Sequence, residues 1–259
     1  IRLSLVGSEM CIRDRRKPSS RIGTIYGIGL GPGSADLMSV RADKLIKSSS
    51  FIAFFRKAGR LGHARKIVSE ILPKNVKEYA MEYPITTEIS LSDPRYKKIM
   101  SSFYDECCQH LRSVINRGED VCVLCEGDPF FYGSFMHLYE RLRFEAPIEV
   151  VPAITGMSAA WTATGLPITW GDNILTILPG TLSKKELFDK ISSTDAAVIM
   201  KVGQNLDKIR EAIALTERKS DAFIVEFAAM SNQSVCKLVE YKKEVAPYFS
   251  IIILHGRAK

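Results

Sequence analysis

From residue 22 onward, short apolar runs alternate with stretches in which apolar residues recur every three or four positions. The first pattern reads as strand and the second as amphipathic helix. A strand over 24–30 ends in a glycine-rich turn, and Ser34 is placed to cap a helix running to about residue 47. A second strand covers 50–55, a helix lies around 64–72, and an extended piece follows near 77–82. Asp93 and Pro94 open a long amphipathic helix that Arg117 and Gly118 end. Residues 120–125 are almost continuously apolar, as in a strand buried on both faces. A helix over 134–143, a strand over 148–151 and a small-residue helix over 157–164 complete the first half.

Gly165, Leu166 and Pro167 then break the pattern. Beyond them, strand 174–178, helix 184–191, strand 196–200 and helix 206–215 precede three strands over 222–227, 234–240 and 248–254. Strict alternation predicts a mostly parallel sheet in the first half, and consecutive strands predict a mixed sheet in the second. The expected division is an α/β domain over 22–165 and another over 166–259.

Four segments at strand ends carry the candidate chemistry. GIGLGPG at 27–33 links a strand to a helix, the context of a dinucleotide fingerprint. The G-x-G-x-x-G register fails, and no acid stands about twenty residues on for a ribose hydroxyl. A tight turn explains the segment equally well. EGDPFFYG at 126–133 follows the buried strand, at the carboxyl edge where open α/β sheets bind ligands. Gly127 lets a ligand approach the backbone, Asp128 suits an ammonium or hydroxyl, and Pro129 fixes the turn. PAITGMSAA at 152–160 permits close contact with a narrow ligand, or close helix packing. MKVGQNL at 200–206 ends a strand of the second half. Three loops from one half and one from the other point to a ligand in the cleft between them.

Composition changes this picture little. The 259 residues are 46% hydrophobic and 25% charged, which excludes a mainly disordered chain, and no apolar run is long enough for a membrane helix. Of the net charge of +7, the first 21 residues hold six Lys/Arg against two Asp/Glu, leaving thirty against twenty-seven for the rest. A body at +3 gives no electrostatic case for nucleic acid. Residues 1–21, with LSLVGSEMCIRDR, read as a foreign, disordered extension. Cys122 and Cys125 have C-x-x-C spacing, but period-two alternation sends their thiols to opposite faces. With no second pair and four scattered histidines, no metal site is expected, and the cysteines read as reduced core residues.

Four motifs in order, YGIGLGPGSADLMSVRA, CEGDPFFYGSF, VVPAITGMSAA and IMKVGQNLDKI, resemble the tetrapyrrole methylase family, the S-adenosylmethionine-dependent methyltransferases of cobalamin and sirohaem synthesis. The resemblance covers residues 22–259. EGDPFFYGSFMHLYERL and GLPITWGDNILTILPGTL are similar to the branch that methylates precorrin-2, with or without cobalt, at a meso carbon. It implies a two-domain tetrapyrrole methylase-like α/β fold with the active site in the interdomain cleft. It also implies a cytoplasmic homodimer, S-adenosyl-L-methionine as methyl donor, and no protein-bound metal, nucleic acid or membrane partner. By motif position, cofactor contacts fall on Pro32, Glu126, Gly127, Asp128, Phe131, Thr155, Gly156 and Lys201. The chain departs from the family pattern at Ser34 and Ala35, where relatives have Asp-Pro, and at Ala153 and Gly156. These contacts are mostly through backbone, which the departures leave in place.

The implied substrate bears acetate and propionate arms. Arg56, Lys57 and Arg60 lie in an aromatic and basic stretch over 54–65 suited to such carboxylates. Asp36, Glu82, Tyr132 and His137 are candidates for a general base, and the sequence does not choose among them. Other functions fit parts of the chain: a methyltransferase of the same fold acting on another tetrapyrrole or on ribosomal RNA, a non-catalytic sensor of the cofactor or of a tetrapyrrole, and a nicotinamide oxidoreductase.

Overall fold

A computed structural model of the chain describes residues 21–85 and 93–257. The expected extension over 1–21 therefore lies outside the described residues except for Arg21, whose guanidinium pairs with Asp120 at 2.8 Å. Two five-stranded sheets organise the rest.

The first sheet contains β1 (Ile25–Gly29), β2 (Phe51–Lys57), β3 (Lys77–Tyr83), β4 (Val121–Cys125) and β5 (Ile148–Val151). Their order is β3-β2-β4-β1-β5 and every pairing is parallel. Helices α1 (Val40–Lys47) and α2 (His63–Ile67) cover one face, and α3 (Pro94–Ile115) and α4 (Phe135–Leu142) the other. This arrangement explains β4: each of its residues is buried because helices shield it on both sides. Cys122 packs on the α1 face and Cys125 on the α3 face, as the alternation required. The Asp93 carboxylate accepts the Arg95 N–H at 2.8 Å, and Pro94 starts α3 without sacrificing a donor.

The second sheet contains β6 (Leu175–Pro179), β7 (Ala196–Met200), β8 (Ala222–Glu226), β9 (Ser234–Lys237) and β10 (Ser250–Leu254). The order is β6-β7-β10-β8-β9, with β6 and β7 parallel and the other pairs antiparallel. Helices α6 (Lys184–Ser192) and α7 (Leu206–Ala214) pack on one face. The other face is covered by α5 (Gly156–Ala163), although α5 directly follows a strand of the first sheet. The turn from β5 to α5 thus crosses from one sheet to the other.

Two local expectations are corrected. Ser34 makes no cap hydrogen bond: Ala35–Leu37 form a 3-10 turn, and α1 starts five residues later, where the Ser39 hydroxyl accepts the Ala42 N–H at 3.1 Å. The helix expected to reach residue 72 stops at Ile67, because the chain then turns on Ser69, Ile71 and Leu72.

The glycine at the end of β1 is explained by packing. A Cβ on Gly29 would stand 2.6 Å from the Ala153 Cβ and 2.9 Å from both the Gly127 carbonyl oxygen and Pro129 Cδ. Two of these neighbours are fixed loop atoms, so Gly29→Ala is expected to cost about 1–3 kcal/mol by overpacking, read as a lower urea midpoint. An unchanged midpoint would show that the loops yield. With the glycine spacing accounted for in this way, the nicotinamide reading has no feature left to carry it.

Candidate active site

Chain direction decides where a ligand can enter the first sheet. The connection after β1 passes over one face and the connection after β4 over the opposite face, although β1 and β4 are neighbours. Such a reversal opens a crevice at the carboxyl ends of the two strands. Loop 126–133 lies there. Its Gly127 N–H donates to the Gly31 carbonyl at 2.8 Å, tying the two strand-end loops together. Gly127 has φ +64°, and a Cβ there would meet only the Gly156 nitrogen, at 4.0 Å. The backbones at Gly127 and Gly156 therefore face each other with no side chain between them and space for about one methyl-sized group.

Asp128 holds this arrangement. One carboxylate oxygen accepts the Phe130 N–H and the other the Ala153 N–H, both at 2.9 Å. The first bond closes the turn, and the second fastens it to the segment leading into α5. Thr155 caps α5 by accepting the Ser158 N–H, and Gly156 faces Ile251 of the second sheet. The side chains expected to hold the cofactor thus act in different ways. Asp128 has both oxygens engaged by the protein, Thr155 is a helix cap, Pro32 is buried, and Gly127, Phe131 and Gly156 keep partial exposure.

The second half closes the opposite wall. Lys201 follows β7 with φ +56°, and its ammonium lies over the Tyr132 ring at 4.7 Å. Tyr132 is itself left-handed, at φ +54°. Strained backbones of this kind cost on the order of 1–3 kcal/mol each and concentrate at functional sites. Phe227 and Ala229, at φ +51° and +59°, form a third such point beside Gly33, whose missing Cβ would strike Met230. His63 meets Phe249 edge to face at 4.6 Å, a further link between the halves. The 227–230 turn and the Tyr248 and Phe249 pair were not expected from sequence. The apolar residues on either side of Glu226 in 222–227 read as one continuous strand and concealed the reversal at Phe227, and no glycine marked it.

Glu126 stands at the end of β4. Its Oε1 accepts the Ala64 N–H at 3.1 Å. Water reaches the residue through the open cleft, but the surrounding protein disfavours its charge and pushes the carboxyl from its ordinary 4.5 up to about 7. Burial chiefly, and the charge of Glu126 to a smaller extent, raise the hydroxyl pKa of Tyr83, while Tyr248 is 87% exposed nearby. Between pH 4.5 and about 7 the native carboxyl keeps a proton that the unfolded chain has shed, so this group lowers stability as pH rises through that window.

The expected substrate cations divide. Arg56 is paired with Glu82 at 2.7 Å across β2 and β3, and its Nε is buried without a partner. Lys57 and Arg60 are exposed on the turn that Gly59 makes at φ +70°. Of the base candidates, Glu82 is held by Arg56, and Asp36 accepts the Ser34 hydroxyl. Tyr132 lies under Lys201, and His137 is exposed on α4, stacked on Tyr104 at 4.4 Å. Asp36, Ser39, Pro152 and Ile154 line a concavity of about 520 Å³ beside these loops. A larger one, about 580 Å³, lies at the opposite end of the second sheet, around Thr216, Ser220 and Lys237, and touches none of them.

The family model for Tetrapyrrole (Corrin/Porphyrin) Methylases matches residues 24–242. Precorrin-2 C(20)-methyltransferase of Sinorhizobium sp is 43% identical over 235 residues, spanning 91% of this chain and 96% of that protein. Cobalt-precorrin-2 C(20)-methyltransferase of Salmonella typhimurium is 21% identical over 238 residues, spanning 90% and 96%. Among solved structures, uroporphyrin-III C-methyl transferase from Thermus thermophilus complexed with S-adenyl homocysteine matches with a TM-score of 0.63 at 20% identity, covering 89% of this chain and 97% of that one.

Proposed function

Because this chain belongs to the tetrapyrrole methylase family, we propose that it uses S-adenosyl-L-methionine to add one methyl group to precorrin-2 at the meso carbon C-20, a step in building the corrin ring of cobalamin. The observation that carries the reading is the 43% identity to a precorrin-2 C(20)-methyltransferase over nearly the full length of both proteins. Two relatives named for the cobalt-loaded substrate share 21% and 26%, which favours the metal-free macrocycle. The reading includes a cytoplasmic homodimer with the two α/β domains divided near Gly165.

The cleft fits the cofactor. Gly127 and Gly156 leave the two loops free of side chains where they meet, which lets a ligand lie against their backbones, and the exposed Glu126 next to Gly127 supplies a negative charge for the sulfonium. When bound there, S-adenosylmethionine supplies a methyl on a sulfonium, an electrophile that needs no further activation. The protein's task is then alignment and exclusion of water, worth about 7–11 kcal/mol when reacting atoms are held in line. Gly127, Thr155, Gly156 and Lys201 form the cofactor walls, and Asp128 keeps two of the loops in register. Lys57 and Arg60 face the carboxylate arms of the macrocycle, with Arg56 supporting their turn.

Incubation with S-adenosylmethionine and precorrin-2, followed by mass analysis, tests the reading. The product is expected to gain a single methyl group. Binding of S-adenosylhomocysteine with no change in any tetrapyrrole would instead identify a sensor.

A further inference from the structure

Replacing a meso hydrogen by methyl leaves a proton to be removed, and the functional reading above, on which this inference rests, names no group to take it. We propose that the free oxygen of Glu126 accepts the meso proton after methyl transfer. In the step, a bond forms between the meso carbon and the methyl carbon while the bond from methyl to sulfur breaks, its electron pair staying on sulfur. The meso C–H bond then breaks, its electrons return to the macrocycle, and the proton passes to Glu126 and on to solvent.

Geometry singles this carboxylate out. Asp128 has both oxygens committed to backbone N–H groups. Glu82 is neutralised by Arg56, and Asp36 is engaged by the Ser34 hydroxyl. Glu226 is buried, with the Lys243 ammonium at 2.8 Å and the Tyr241 hydroxyl against it. Glu126 alone in this group stands at the crevice end of the central strand with one oxygen pinned, by Ala64, and with no cation paired to it. The pinned oxygen fixes the direction of the other, which a proton acceptor requires.

The groups around it suit the task. Tyr83 faces it from β3, Tyr248 from the segment before β10, and Cys125 from its own strand, while Asp128, two residues on, is turned to the Phe130 and Ala153 N–H groups. Across the Ala64 contact stands α2, with His63 and the nearby cations Arg60 and Lys66. None of these forms an ion pair with Glu126. A positive sulfonium beside the carboxylate favours its ionised form before transfer. Once the methyl has moved, sulfur is neutral and the positive charge is delocalised over the macrocycle, so the carboxylate regains proton affinity when a proton must be taken.

Glu126→Gln tests this, because the amide oxygen still accepts from Ala64 and the shape is kept. In the parent, an infrared carboxyl band absent from E126Q is expected to titrate with a midpoint of about 7. The variant is expected to bind S-adenosylhomocysteine within threefold of the parent by calorimetry. Its kcat should fall at least 100-fold, within the ~10²–10⁴ range of a lost base, with KM little changed. The rise of kcat/KM with pH through about 7, which reports the unliganded enzyme, should disappear. A meso-deuterated substrate should show a primary isotope effect in E126Q, and formate should partly restore turnover to Glu126→Ala. An active parent whose E126Q variant keeps kcat within twofold and the same pH profile would overturn the proposal alone. A parent that methylates no precorrin-2 would overturn the functional reading and this proposal with it.

Discussion

Asp128→Ala is expected to lose about 3 kcal/mol of stability and at least tenfold in affinity for S-adenosylhomocysteine. Its two carboxylate oxygens accept the N–H groups of Phe130 and Ala153, and removing them leaves the exposed Phe130 donor to water and strands the half-buried Ala153 donor. A hydrogen bond to a charged group contributes roughly 1.5–3 kcal/mol, and the two share one carboxylate, so the sum is held below twice the upper value. The loss reaches the cofactor because the same bonds set the distance between Gly127 and Gly156, the two backbones facing the gap. Asp128→Asn keeps one acceptor and turns an N–H toward the other donor, so an intermediate loss is expected. Urea unfolding and calorimetric titration measure the two effects. Unchanged unfolding with weakened binding would instead make Asp128 a direct ligand of the cofactor's ammonium.

Reversing Lys57 and Arg60 together to Glu is expected to raise KM for the tetrapyrrole about tenfold or more, with cofactor affinity unchanged. Both cations are exposed on the turn after β2, available to a substrate carrying several carboxylates. An exposed ion pair contributes about 0.2–1 kcal/mol, and reversal replaces each attraction by a repulsion. The salt dependence of association should also flatten, since screening acts on steering by these charges. Arg56 is left out of the variant: its ion pair with Glu82 joins β2 to β3, so its reversal would disturb the sheet edge. Steady-state kinetics over a range of salt, with S-adenosylhomocysteine titrations alongside, separate the effects. A change confined to the cofactor constant would move the turn to the other subsite.

Much of this site was legible because it rests on local rules. The buried run of β4, the Asp93 and Pro94 start of α3 and the four strand-end loops each follow from a few consecutive residues. The parallel and mixed sheets followed from the alternation of elements. What escaped the sequence depends on partners far along the chain. Asp128 carries the charge suited to an ammonium, and only the position of Ala153, 25 residues on, shows it spent on the backbone. Nothing in the small-residue run of α5 says that it covers the second sheet, since Ala160 fits either face. Ser34 and Ser39 are equivalent as caps on paper, and the 3-10 turn between them decides for Ser39. Glu126 looked like one more motif carboxylate. Its distinction is the single hydrogen bond from Ala64, which only the folded chain supplies.

Methyl transfer from a carbon-13-labelled donor to precorrin-2, with carbon NMR of the isolated product, examines the reaction most directly. A single labelled methyl on the meso carbon C-20 is the expected result. A rigid macrocycle gripped along one edge presents one carbon in line with the sulfonium, and a misplacement of about 1 Å costs on the order of 100-fold. Label on a pyrrole ring carbon would contradict the C-20 position while leaving the family in place. Label recovered in RNA and in no tetrapyrrole would contradict the substrate class itself.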